Sequence, residues 1–265
     1  LNLSLTIVHI YVLLMYGLAE ALVSTYSICV VDPETELVGA AVASRYVAVG
    51  SLVPFLEPGV GAILTQSVAN PLFGPRGLSM LAAGRSPSEV IDALLEGDDQ
   101  RRIRQVAVLD AEGEGAIYSG PQCTALVAEH RESRLLALGN MLASKSVPAA
   151  MAEGFHAFYD LEILHRTAVH EMTGASRMAS ALIAALRAGE DAGGDRRGKQ
   201  ASALLVKGPN AGYGGNGDTA VDLRVDDHDE PVEELSRIFG VFLENQREEL
   251  SGGVGIEELL KKEDL

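Results

Sequence analysis

Two apolar runs rich in β-branched residues, Thr25 to Asp32 and Leu37 to Ser44, flank the polar stretch Pro33-Glu34-Thr35-Glu36. That pattern predicts a β-hairpin. Further strand-like runs occur at Val60 to Gln66, Arg104 to Asp110 and Gly115 to Ser119, the last two joined as a hairpin through Ala111-Glu112-Gly113-Glu114. Ala125 to Glu129 and Leu135 to Gly139 read as a third pair, and Tyr46 to Gly61, with Pro54 and Pro58, reads as a loop. Helical spacing enters at Gly74 to Ala83 and at Ser86 to Glu96, where Ser86-Pro87-Ser88-Glu89 carries an N-cap serine, a proline at the first helical position and a glutamate at the third. It returns over Val147 to Tyr159, Leu161 to His170 and Met172 to Gly189. Strands at Ala201 to Val206 and Ala220 to Val225 enclose a Gly/Asn-rich segment, and a long helix over Pro231 to Gln246 follows. Hairpins imply antiparallel sheets. Helices gathered in blocks imply that they cover sheet faces, an α+β arrangement with two sheets packed together and helices outside.

The ends of the chain differ from its body. Residues 1–24 are almost wholly apolar, and the first basic residue of the chain is Arg45. This leader fits an export signal, a propeptide removed at Ser24-Thr25, or upstream sequence joined in error. The expected organisation is a leader over 1–24, one domain over 25–247, and a flexible charged tail over 248–265. A cytoplasmic location is expected, with export the alternative if 1–24 is a signal. Membrane contact is expected only if the leader is retained.

Charge and composition narrow the chemistry. The formal net charge is -16 over 265 residues, which disfavours nucleic acid and anionic membrane surfaces as partners. Tryptophan is absent, so base-stacking platforms are not expected. Cys29 and Cys123 lie far apart without metal-ligand spacing, and no HExxH or Gly-x-Ser-x-Gly motif occurs. No metal site is expected; the Asp226-Asp227-His228-Asp229 cluster reads as a strand exit, because adjacent strand residues point to opposite faces. The expected partner is a small molecule.

Thr25 carries the sharpest candidate chemistry. With the chain cut before it, its hydroxyl and its new α-amine would share one residue, and the amine would serve as general base. The hairpin would bring Arg45 back beside it, to tune the amine or hold a substrate carboxylate. The competing reading is a threonine opening a buried hairpin. Polar groups follow apolar runs at Ser44-Arg45, Thr65-Gln66 with Asn70, and Gly139-Asn140. The carboxamides Gln66 and Asn140 suit oxyanion donation, and Ser44 and Asn70 suit substrate contact. Each alternatively bonds to backbone at a strand end. The segment Gly193-Gly194-Asp195-Arg196-Arg197-Gly198-Lys199-Gln200 either turns backbone N–H groups outward as an anion site, with Asp195 orienting Arg196 or Arg197, or caps a helix and exposes a charged turn. No cofactor is required by this chemistry.

Taken in order, Thr25-Tyr26-Ser27-Ile28, Ala43-Ser44-Arg45, Gly61-Ala62 with Thr65-Gln66, Gly139-Asn140, Gly193 to Gln200 and Leu223-Arg224-Val225-Asp226-Asp227-His228 resemble the domain of unknown function 1028 family. The resemblance spans roughly Thr25 to Gln246. It implies a four-layer α-β-β-α sandwich of the Ntn-hydrolase group and, by analogy of fold, an amidohydrolase with an N-terminal nucleophile, here Thr25. It also implies a homo-oligomer. Family members begin with Met then Thr, whereas twenty-four residues precede Thr25 here.

Overall fold

The computed structural model describes residues 25–123, 126–164 and 173–252. Its strands are β1 (Thr25–Asp32), β2 (Leu37–Ser44), β3 (Pro54–Glu57), β4 (Gly61–Ser67), β5 (Arg104–Asp110), β6 (Gly115–Ser119), β7 (Ala128–Glu132), β8 (Leu135–Gly139), β9 (Ala201–Lys207) and β10 (Thr219–Val225). Its α-helices are α1 (Phe73–Ala82), α2 (Pro87–Leu95), α3 (Val147–Leu164), α4 (Gly174–Asp191) and α5 (Pro231–Gly252). The strands form two antiparallel sheets, one in the order β10-β9-β2-β1-β8-β7 and the other in the order β3-β4-β5-β6.

Three buried apolar groups separate four layers. Between the sheets lie Cys29, Val31, Val38, Ala40, Val42, Leu64, Ala107, Leu109, Leu136 and Leu138. Behind the six-stranded sheet, Ile28, Val30, Ala41 and Leu204 meet Met151, Met178, Leu182 and Leu186 of α3 and α4, with Leu235 of α5. Behind the four-stranded sheet, Ile63, Val106 and Val108 meet Leu81 of α1 and Val90, Ile91 and Leu94 of α2. Period-two alternation produces this division: odd residues of β1 face the other sheet and even ones face the helices. The order of layers is helices, sheet, sheet, helices, as the α+β expectation requires.

Close packing explains Gly39. A Cβ there would lie 2.7 Å from Leu182 Cδ1 and 2.8 Å from Met178 Sδ, so the missing side chain lets α4 seat directly on β2. The α2 start is the predicted capping box, Glu89 N donating to Ser86 Oγ and Ser86 N donating to Glu89 Oε2.

Three expectations change. Pro54–Glu57 is a strand rather than loop; it lies at the edge of its sheet, where a proline's missing N–H costs no ladder bond. The seventh strand spans Ala128–Glu132 instead of starting at Ala125, because its register is fixed by pairing Ala128 with Gly139 and Glu132 with Leu135. The last helix continues to Gly252, past Gln246. The leader over 1–24, positions 165–170 of the expected helix from Leu161, Met172 and the tail from 253 lie outside the described residues. Among the described residues, no helix is long and apolar enough to cross a membrane.

Candidate functional site

At one end of the sandwich the inter-sheet layer stops being apolar. Thr25 pairs with Ser44 across β1 and β2, and Tyr26 pairs with Gly139 across β1 and β8. Gln66 of β4 pairs with Gln105 of β5, which pairs in turn with Ser119 of β6. Alternation puts Thr25, Ser27, Ser44, Gln66 and Gln105 on the faces that carry Cys29, Val42, Leu64 and Ala107 further in. All five are fully or almost fully buried, as is Asn140.

Burial of so many polar groups requires a closed set of bonds. Ser27 Oγ donates to Gln66 Oε1 at 2.6 Å, and Gln66 Nε2 donates to Gln105 Oε1 at 2.8 Å. Asn140 Nδ2 donates to the same Gln105 Oε1 at 3.0 Å. Gln105 Nε2 donates to Ser119 Oγ at 2.9 Å and to the Gly139 carbonyl at 3.1 Å. Gln105 is therefore the hub that fixes which way the Gln66 and Asn140 amides face. Gln66 gives one of its two N–H groups to Gln105, and its other makes no bond among the described residues. Asn140 N donates to the Thr25 carbonyl at 3.0 Å, which brings the second carboxamide residue directly against the first residue of β1.

Both carboxamides precede strained backbone. Ser67, next to Gln66, has φ 70°, and Met141, next to Asn140, has φ 49°; neither is glycine. A left-handed non-glycine residue costs roughly 1–2 kcal/mol. Such strain persists where surroundings hold it, and it gathers at sites. Met141 is held by its carbonyl, which accepts from Arg196 N at 3.0 Å.

The hairpin returns Arg45 to the start of β1, with its guanidinium exposed and turned toward the loop after α4. Nη1 donates to the Arg197 carbonyl at 2.9 Å, and Arg45 N donates to Asp195 Oδ2 at 3.0 Å. Asp195, its side chain 1% exposed, also accepts from Arg197 N, Nε and Nη2. Thus Asp195 does orient Arg197, through a bidentate pair, and ties it to the end of β2. The paired glycines do not turn their N–H groups outward: Gly193 N donates to Glu190 O and Gly194 N to Gly189 O, so they cap α4. Asn70 forms a turn, its Oδ1 accepting from Leu72 N and its own N donating to Thr65 Oγ1. No hydrogen bond joins it to Gln66 or Asn140.

The cysteines are poor nucleophiles here. Burial pushes the Cys29 thiol up to about 12, and burial raises Cys123 as well. No group of three or more metal-ligating side chains with suitable geometry occurs among the described residues.

Ser27, Gln105 and Ser119 are not among the site residues expected from sequence, which are mostly polar residues where apolar runs end. In an antiparallel pair the start of one strand lies beside the end of its neighbour. The buried-face position of Gln105, two before Ala107 and four before Leu109, was the available signal.

Comparison with known proteins gives a family and a fold. The family model described as "Family of unknown function (DUF1028)" matches residues 25–235. The crystal structure of protein SPO2555 from Silicibacter pomeroyi, itself described by that family model, is similar with a TM-score of 0.67 and 27% identity, over 85% of this chain and 89% of that one. No curated protein matches the chain.

Proposed function

This chain belongs to DUF1028, a family of unknown function, and within it we propose that the chain is a threonine hydrolase of the N-terminal-nucleophile type, cleaving an amide bond of a small substrate. The observation that carries the reading is the direct contact of Asn140 with Thr25 at the polar end of the inter-sheet layer, beside Gln66.

The chemistry follows from a Thr25 with a free α-amine. Its Oγ attacks the amide carbonyl carbon while the α-amine accepts the hydroxyl proton. The oxygen of the tetrahedral intermediate accepts N–H groups from Gln66 Nε2 and Asn140 Nδ2, whose directions Gln105 fixes beforehand. Collapse breaks the C–N bond, and the α-ammonium returns its proton to the leaving nitrogen. Water, deprotonated by the same amine, then cleaves the resulting ester and restores Thr25. Arg45 is exposed and gives one guanidinium N–H to Arg197, which leaves donors for a substrate carboxylate; an anionic substrate suits it. Ser44 lies across from Thr25 and would contact the bound group, while Asp195 and Arg197 hold Arg45 in place.

The test is a chain beginning at Thr25, assayed by mass spectrometry on a panel of amino-acid amides and N-acyl amino acids. Turnover that disappears in Thr25→Ala supports the reading; turnover unchanged by that substitution ends it. A second reading, a small-molecule binder on the same scaffold, is favoured by two facts: Thr25 follows Ser24 in the sequence, and it is fully buried. A mature N-terminus at Thr25 in protein from its native cells separates the two.

A further inference from the structure

At the strand ends where β1 begins and β2 stops, a cavity of about 110 Å³ is lined by Tyr26, Ser44, Glu190, Asp195, Lys199 and the backbone of Gly193 and Gly194. Its polar groups do not close on themselves. Asp195 is saturated by Arg45 and Arg197. Glu190 is not: Oε1 meets Lys199 Nζ at 2.8 Å, while Oε2 is buried and makes no hydrogen bond. Lys199 is also shared with Glu230, so one ammonium serves two carboxylates. The second open group is Tyr26. It is 3% exposed, its ring is wedged where Cβ atoms on Gly189 and Gly194 would lie 3.2 and 3.1 Å away, and its hydroxyl makes no hydrogen bond among the described residues.

A buried carboxylate oxygen without a partner, beside a cavity that the Tyr26 side chain also lines, is costly unless something enters it. The surroundings state what charge it carries. Burial, followed by the nearby carboxylates of Glu190, Asp195 and Asp191, holds the Tyr26 phenol well above its ordinary value. The C-terminus of α4 adds the partial negative charge of its last carbonyls. Each of these favours a cation. A carboxylate oxygen and a phenol oxygen both accept hydrogen bonds, and an ammonium group offers only donors.

We propose that this cavity is a binding site for a small protonated primary amine, its N–H groups bonded to Glu190 Oε2 and the Tyr26 hydroxyl oxygen. The volume admits a short aliphatic amine and no large side chain. A quaternary ammonium carries the same charge without N–H groups and does not satisfy Glu190. The site borders the Thr25 region through Ser44 and Asp195 but uses neither the Thr25 hydroxyl nor its amine, so its test does not depend on that chemistry.

The experiment is thermal unfolding of the full chain in methylammonium chloride, with tetramethylammonium chloride and sodium chloride at equal ionic strength. Methylammonium is expected to raise the midpoint in a saturable way that the other two salts do not reproduce. Tyr26→Phe removes a hydroxyl that has no partner, so its midpoint without amine is expected at or above wild type, and its apparent affinity for methylammonium falls by about threefold to tenfold. Glu190→Gln is expected to weaken binding by about tenfold or more. Equal shifts from all three salts, or undiminished methylammonium affinity in Glu190→Gln, overturn the proposal. So does a Tyr26→Phe chain that is less stable without amine, because its hydroxyl would then have a structural partner.

Discussion

Replacing Gln105 with leucine tests whether the polar end of the inter-sheet layer depends on one hub. Gln105 makes four side-chain hydrogen bonds, two accepted from Gln66 and Asn140 and two donated to Ser119 and Gly139. Leucine matches its length without a polar atom. In Gln105→Leu the Gln66 and Asn140 N–H groups lose the acceptor they share. Both residues are 1% exposed or less, so water does not reach them readily. Each stranded donor costs about 1–3 kcal/mol, which sums to about 2–6 kcal/mol. The Ser119 hydroxyl is only half-buried and recovers its bond from water, so Ser119→Ala should cost about 1 kcal/mol or less. The assay is urea unfolding followed by tyrosine fluorescence, which tryptophan does not obscure because none is present. A shifted midpoint at an unchanged slope reports stability alone. If Gln105→Leu costs no more than Ser119→Ala, the hub is not holding the two carboxamides and the geometric basis for an oxyanion site fails.

Two further predictions concern the scaffold. Asp98, mostly buried, receives Arg104 Nε at 2.8 Å, and that bond holds its carboxyl below the usual carboxylate range. A depressed pKa stabilises above the unfolded value of about 3.9 and loses that contribution as pH falls through the folded value. Asp98→Asn is therefore expected to cost about 2–4 kcal/mol at pH 7, a gap that narrows below about pH 4; a gap independent of pH in urea melts would contradict this. Gly39→Ala is expected to lose about 1–3 kcal/mol, since its methyl would press into Leu182 and Met178, and a melting temperature equal to wild type would show that α4 sits less tightly on β2 than described.

Much of the architecture was legible because local signals agreed. The first hairpin, the capping box at Ser86 and the strands from Arg104 and Gly115 follow directly from their turn residues and apolar runs. Pro54–Glu57 was hidden because prolines at Pro54 and Pro58 argue for loop, and only its place at a sheet edge makes the strand tolerable. At the site, Thr25, Ser44, Gln66 and Asn140 stand out in sequence as polar residues at strand ends. Gln105 and Ser27 do not, because their importance arises from pairing across sheets that lie far apart in the chain. Tyr26 and Glu190 were invisible for another reason. A tyrosine in an apolar strand and a glutamate near a helix end are ordinary, and only the cavity between them shows that neither has all its bonds.

In the proposed function Thr25 is both attacker and base through one free amine. The direct test is acylation of a chain beginning at Thr25 by a β-lactone, with the modified position mapped by peptide mass spectrometry before and after the α-amine is acetylated. One acyl group on Thr25 Oγ, lost once the amine is acetylated, is the predicted result. Acylation of Thr25 that proceeds equally with the amine blocked, or that falls only on other residues, would contradict it.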